Sequence, residues 1–102
     1  MRPFHEYPQL DIPQLQAELS SVIKSLYESY GEYAKALGDY EREHITAYYE
    51  SPDDSHAARN RWADRQTVSL HDDVVTFEQN IAAYRVLHDY LTNLLNWKTS
   101  AK

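Results

Sequence analysis

The stretch Glu41-Arg42-Glu43-His44 has the residue types and spacing best suited to chemistry. Glu-x-x-His sets a carboxylate and an imidazole one turn apart on a helix face, as helical bundles do when they aim two ligands at a metal. A carboxylate-bridged metal pair also needs acids on facing helices. One copy of the motif per chain means that a dimer would supply two. Asp64 is the nearest opposing carboxylate once the chain turns back on itself. No companion Glu stands at a matching position, so Glu41, His44 and Asp64 stay an alternative metal set, and neither metal nor cofactor is expected. His44 then reads as an imidazole at a seam edge beside surface acids.

The other chemical groupings are thinner. His71-Asp72-Asp73 and His88-Asp89 lie some five helical turns apart, with His71 directed outward and His88 inward, so they share no site. His5 and His56 are isolated. The chain has no Cys, no Gly-flanked Ser and no carboxylate pair of defined geometry, so no catalytic residue is assigned and an enzyme is not expected. Arg59, Arg61, Trp62 and Arg65 form the one basic and aromatic cluster. Arg and Trp are frequent at binding hot spots, and the same pair of types stacks on single strands. With Tyr48 and Tyr49 they make the candidate partner-binding surface. Salt bridges to Glu41, Glu43 and Asp64 are the structural alternative for the arginines.

Two long helices must position these residues. Leu70, Val74, Phe77, Ile81, Tyr84, His88, Leu91 and Leu95 recur at alternating steps of four and three, the spacing of a seam that faces a partner helix. Val68, Val75, Leu87 and Leu94 widen that seam to the stripe of a bundle core. The earlier stripe holds Leu15, Leu19, Val22, Leu26, Tyr30, Tyr33, Leu37, Tyr40, His44 and Ala47, and is rich in Tyr. Asp11-Ile12-Pro13-Gln14 predicts its start, because Asp accepts from first-turn amides, Gln reaches back, and Pro needs no donor there. Ser51-Pro52-Asp53-Asp54-Ser55 is the strong interior break. The predicted organisation is therefore an extended arm over 1–12, a hairpin over 13–98 with its turn at about 50–55, and a tail over 99–102.

The fold class read from this pattern is all-α, an antiparallel hairpin of two long helices. Such a hairpin leaves much of each stripe wet, so it is expected to dimerise into a four-helix bundle. The alternative is a three-helix bundle bent near Gly31 to Gly38, since Gly in a helix interior either permits a bend or lets another backbone approach.

Composition narrows the class. The 102 residues make one domain, with a net charge of −6 from 16 acidic and 10 basic side chains. This acidity repels a polyanion overall, so direct nucleic-acid binding is expected to be weak at most. The absence of Cys fits a reducing compartment. No apolar run approaches the length that crosses a bilayer, and residues 1–12 lack a signal-peptide core. A cytoplasmic location without membrane contact is the expectation, in the bacterial host cell if the chain is viral.

Two resemblances bear on function. The Glu41 to His44 stretch is similar to a Glu-Lys-Glu-His segment of small two-helix ferritin-like proteins that assemble as dimers. That likeness implies metal binding at Glu41 and His44. The second covers about residues 15 to 98 and rests on Tyr30-x-x-Tyr33-Ala34-x-Ala36, Ala47-Tyr48, a polar loop, Ala57-Ala58, Ala63-Asp64 and Leu94-Leu95-x-Trp97. This layout resembles small helical-hairpin proteins of tailed bacteriophages, often encoded near recombination genes. It implies an accessory protein without catalytic residues. The expected function is a non-enzymatic protein that pairs with itself and with another protein. A small acidic viral inhibitor of a host-defence or nucleic-acid-binding protein and a ferritin-like metal-binding bundle are the alternatives.

Overall fold

A computed structural model describes residues 1–100. Its elements are a short 3-10 helix, Phe4–Gln9, then α1 (Ile12–Glu50), α2 (His56–Gln66) and α3 (Val68–Ser100), with no strand among the described residues. The all-α class follows directly.

α1 begins where its cap residues place it. Asp11 Oδ1 accepts from the Gln14 amide at 2.8 Å, and Gln14 Oε1 accepts from the Asp11 amide at 3.0 Å. This reciprocal pair satisfies two amides, one of them in the helix's first turn. α1 then runs uninterrupted through Gly31 and Gly38, both with ordinary negative φ. The three-helix alternative, which needs the chain to fold back between them, does not hold. Neither glycine answers a need within the chain, since an added Cβ would meet nothing within 4 Å at either position. Each costs the helix about 1 kcal/mol relative to Ala.

The second long helix departs from the expected single element. It starts after Ser55, whose hydroxyl accepts from the Ala58 amide at 3.1 Å, and it breaks at Thr67 into α2 and α3. Thr67 has φ −116° and ψ 16°, and its amide bonds back to the carbonyls of Ala63 and Asp64. Its hydroxyl also takes the Ala63 carbonyl, at 2.7 Å. A buried β-branched residue whose hydroxyl bonds its own backbone competes with the regular ladder, and here the ladder gives way.

The chain divides into two compact units, each with its own interior. One comprises Met1–Ser29 and the chain from Asn80 onward. Its core is Tyr7, Leu15, Val22, Leu87, Leu91 and Leu95, with Leu10, Ile12, Leu19, Leu26, Tyr84, Tyr90 and Leu94 packed against it. The arm expected to be extended is instead the 3-10 helix, and it supplies part of this core. Proline's fixed φ matches 3-10 geometry, so Pro8 costs only one donor. Tyr7 is fully buried, and its hydroxyl accepts from the Arg2 amide at 3.0 Å. The Phe4, Tyr7 and Tyr90 rings meet edge to face at 5.0 to 6.2 Å. Lys98 Nζ donates to the carbonyls of Pro8 (2.8 Å) and Leu10 (2.5 Å), which leaves the expected tail as part of α3 to Ser100. The last two residues of that tail lie outside the described residues.

The other unit, Tyr30–Gln79, is built differently. Its buried apolar residues are Ala47, Ala63 and Val74, accompanied by buried Ser51 and Thr67. The interior is thus small side chains and hydroxyls, with larger aromatics half-buried around them.

The seam of α3 divides accordingly. Val74, Ile81, Leu91 and Leu95 are buried, while Leu70, Phe77, Tyr84 and His88 are half-buried. Leu87 takes the buried place beside His88, since an apolar chain loses nothing on leaving water whereas an imidazole must find partners. His88 Nδ1 lies 3.1 Å from the exposed carboxylate of Asp89.

Candidate functional site

The chemistry-bearing side chains gather in the Tyr30–Gln79 unit, along α2 and the parts of α1 and α3 that belong to it. The register brings His44 and Asp64 together, with His44 Nε2–H donating to Asp64 Oδ1 at 2.9 Å. Tyr40 lies beside them, its ring centroid 5.6 Å from His44 and 5.5 Å from His71. A shallow cavity of about 310 Å³ is lined by Tyr40, Asp64, Val68 and His71. Sequence spacing missed the Tyr40–His71 contact, because His71 is exposed and falls off the apolar stripe.

Glu41 does not join this pair. It is exposed, and among the described residues no three of His, Asp or Glu converge as a metal site requires. The bond to Asp64 already occupies His44 Nε2. The pattern gave the correct helical spacing for two ligands and no third to complete a shell.

The basic cluster is divided by the direction of its side chains. Arg59 turns toward the α1–α2 connection, where Nε donates to the Asp53 carbonyl at 2.9 Å and the guanidinium stands 5.7 Å from the Tyr48 ring centroid. Tyr48 is half-buried and packs edge to face on Tyr49 and His56. Asn60 Nδ2 donates to His56 Nε2 at 3.0 Å, which leaves the ring proton on Nδ1 to donate to Tyr48 Oη at 2.6 Å. These contacts hold the turn, and they use Arg59 and Tyr48 as structure.

Arg61 and Arg65 remain on the exposed side of α2, where Arg65 Nε donates to the Arg61 carbonyl at 3.4 Å. None of the three arginines forms an ion pair with Glu41, Glu43 or Asp64 among the described residues, and Arg42 pairs with Asp39 in its own helix. Trp62 is half-buried at a polar depression of about 240 Å³ that also takes in Glu43, Glu50 and Gln66. Tyr49 is 73% exposed. Of the six candidate partner-binding residues, Arg61, Arg65 and Tyr49 are therefore presented to solvent, Trp62 partly so.

One titration belongs to the unit. Tyr33 donates to Glu78 Oε1 at 3.2 Å, and partial burial together with the Glu78 carboxylate raises its pKa. The phenol is thus held neutral. The cavities beside these residues are open and shallow.

No helix is long and apolar enough to cross a membrane among the described residues. Comparison with protein-family models, with curated proteins and with solved structures gives no match for this chain.

Proposed function

We propose that this chain is a non-enzymatic helical interaction protein that works through protein–protein contact, pairing with itself and with another protein. The supporting observation is the apolar surface left outside. Tyr27 is 78% exposed, Tyr49 73%, Trp97 66%, Val86 61% and Ile45 58%. Single exposed apolar residues are ordinary on a folded surface. Here Ile45 and Tyr49 stand one turn apart on α1 within one unit, and an aromatic chain in water gives large contact area at low entropic cost on docking. In the self-paired form the helical hairpins assemble as a four-helix bundle in the cytoplasm. The layout that resembles phage helical-hairpin proteins extends the reading to an accessory role in DNA recombination, without tight nucleic-acid contact.

Sedimentation over a dilution series tests this reading. A reversible dimer, dissociating as the protein is diluted, is the expected result. A monomer at every concentration, with no protein partner retained at low salt, overturns it. The net charge of −6 favours a second reading, a small acidic inhibitor seated on a basic protein surface. Binding to such a surface that weakens steeply with salt is its signature.

A further inference from the structure

We propose that one side of the Tyr30–Gln79 unit, the groove centred on Leu70 between α1 and the stretch formed by α2 and the start of α3, is the docking surface for a basic amphipathic helix of another protein. The inference rests on the reading that the chain works through protein contact, and it names the surface and the chemistry of the partner.

Two open depressions meet at Leu70 on this side of the unit. One, of about 270 Å³, reaches along Ala36 and Phe77, and the other, of about 240 Å³, along Ala47 and Trp62. Their α1 residues follow one stripe, since Ala36, Glu43, Ala47 and Glu50 fall at helical spacing. The two therefore form one groove beside α1 from Glu32 to Glu50, about 27 Å at 1.5 Å per residue. Its floor is apolar. Ala36, Trp62, Leu70 and Phe77 are half-buried and Ala47 is buried. The two alanines keep the α1 wall low, while the larger side chains opposite leave part of their apolar surface in water. That is the shape a third helix fills when it lays about five turns of apolar side chains along a two-helix floor.

Charge selects the occupant. Tyr30–Gln79 holds eleven acidic and five basic side chains, whereas the rest of the chain holds five of each, so the whole net charge of −6 belongs to this unit. Glu32, Glu43 and Glu50 stand on the α1 side of the groove and Asp73 on the α3 side, and none of them has an ion-pair partner among the described residues. Asp39 also lines the groove but is taken by Arg42 in its own helix, and Lys35 is the one cation in the lining. Carboxylates ranged about an apolar floor attract a helix with Lys or Arg on either side of an apolar stripe, because the stems of those side chains cover the floor's edge while their heads reach the acids. The same rim repels a nucleic acid. A second copy does not match it, since the chain's own basic cluster lies on α2, which is 11 residues long and has Arg59 committed to the turn.

The probe is a synthetic peptide of about 18 residues with leucine along one helical face and lysine on the rest, set against a peptide of the same composition in scrambled order. Trp62 lies in the groove, so in a Trp97→Phe chain its fluorescence reads the site directly. The expected result is a blue shift that saturates with the amphipathic peptide, not with the scrambled one, and that weakens steeply with salt. Glu43→Lys and Asp73→Lys should each weaken binding about tenfold or more, whereas Glu41→Lys and Asp72→Lys, which change the net charge equally but lie outside the lining, should stay within about twofold of the parent. Ala36→Gln, which fills the floor without changing charge, should also weaken binding, with helical circular dichroism retained. Equal losses from the lining and outlying reversals, or no saturable binding in the parent, overturn the groove, and a reversible dimer or a retained protein partner then leaves the contact reading standing. A dimer that is lost in both Glu43→Lys and Asp73→Lys gives the groove to a second copy and overturns the basic helix.

Discussion

The two compact units of this chain bury different materials. The unit of Met1–Ser29 and the chain from Asn80 onward encloses a continuous aliphatic and aromatic core, with Leu15, Leu91 and Tyr7 withdrawn from water entirely. The Tyr30–Gln79 unit buries two alanines, a valine, a serine and a threonine, and holds its aromatics at the surface through contacts with histidine, arginine and acids. Hydrophobic stabilisation grows with apolar area removed from water, so the first unit carries the stability. The second keeps polar and aromatic groups within reach of solvent. The difference is one of core composition along the chain.

The sharpest way to break this comparison is to empty the strong core. Tyr7→Ala removes a fully buried ring and its bond to the Arg2 amide, and is expected to cost about 3–5 kcal/mol by urea denaturation. Loss below about 1 kcal/mol would mean that the 3-10 helix merely rests on the surface. Leu91→Ala should cost about 2–5 kcal/mol, and its amide neighbours should be among the slowest to exchange hydrogen. In the other unit, Val74→Ala loses two methyl groups at about 0.8 kcal/mol each plus a small cavity, for roughly 2 kcal/mol. Equal costs for Leu91→Ala and Val74→Ala would erase the contrast.

Smaller effects sharpen it. Ser55→Ala removes the cap of α2 and should cost about 1 kcal/mol, with helicity lost around His56–Gln66 and little change at Leu91. The smallest expected effect is a slope rather than a loss. Tyr33 has its pKa raised in the folded chain, so it favours folding below its unfolded pKa near 10, and that contribution is lost as pH rises through the folded value. Tyr33→Phe should flatten the alkaline fall in stability above about pH 10. An unchanged alkaline limb would show that the phenol is not held by Glu78.

Much of this architecture was legible from local rules. The Asp11–Gln14 pair signals a reciprocal cap, and the Ser51–Ser55 run signals the turn, because these side chains bond backbone groups a few residues away. The pairing of His44 with Asp64 follows once the turn sets the antiparallel register. The break at Thr67 was not legible. Threonine is common in helices, and only burial of its hydroxyl beside the Ala63 carbonyl makes the alternative bond win. The arm was misread for a similar reason. Two prolines argue for extended backbone, yet the contacts of Tyr7, Phe4 and Lys98 that hold the 3-10 helix come from residues some ninety positions away.

What the amino-acid order determined by itself is the helical class, the cap positions and the spacing of the apolar stripes, because each depends on backbone bonds and periodicity within a few residues. What only the tertiary structure decided is which members of a stripe are withdrawn from water and which polar groups pair. Leu87 rather than His88 is enclosed, Arg59 turns inward while Arg61 and Arg65 do not, and Glu41 is left outside the His44–Asp64 pair. Those outcomes depend on what lies across from each side chain, and sequence periodicity carries no record of the opposite wall.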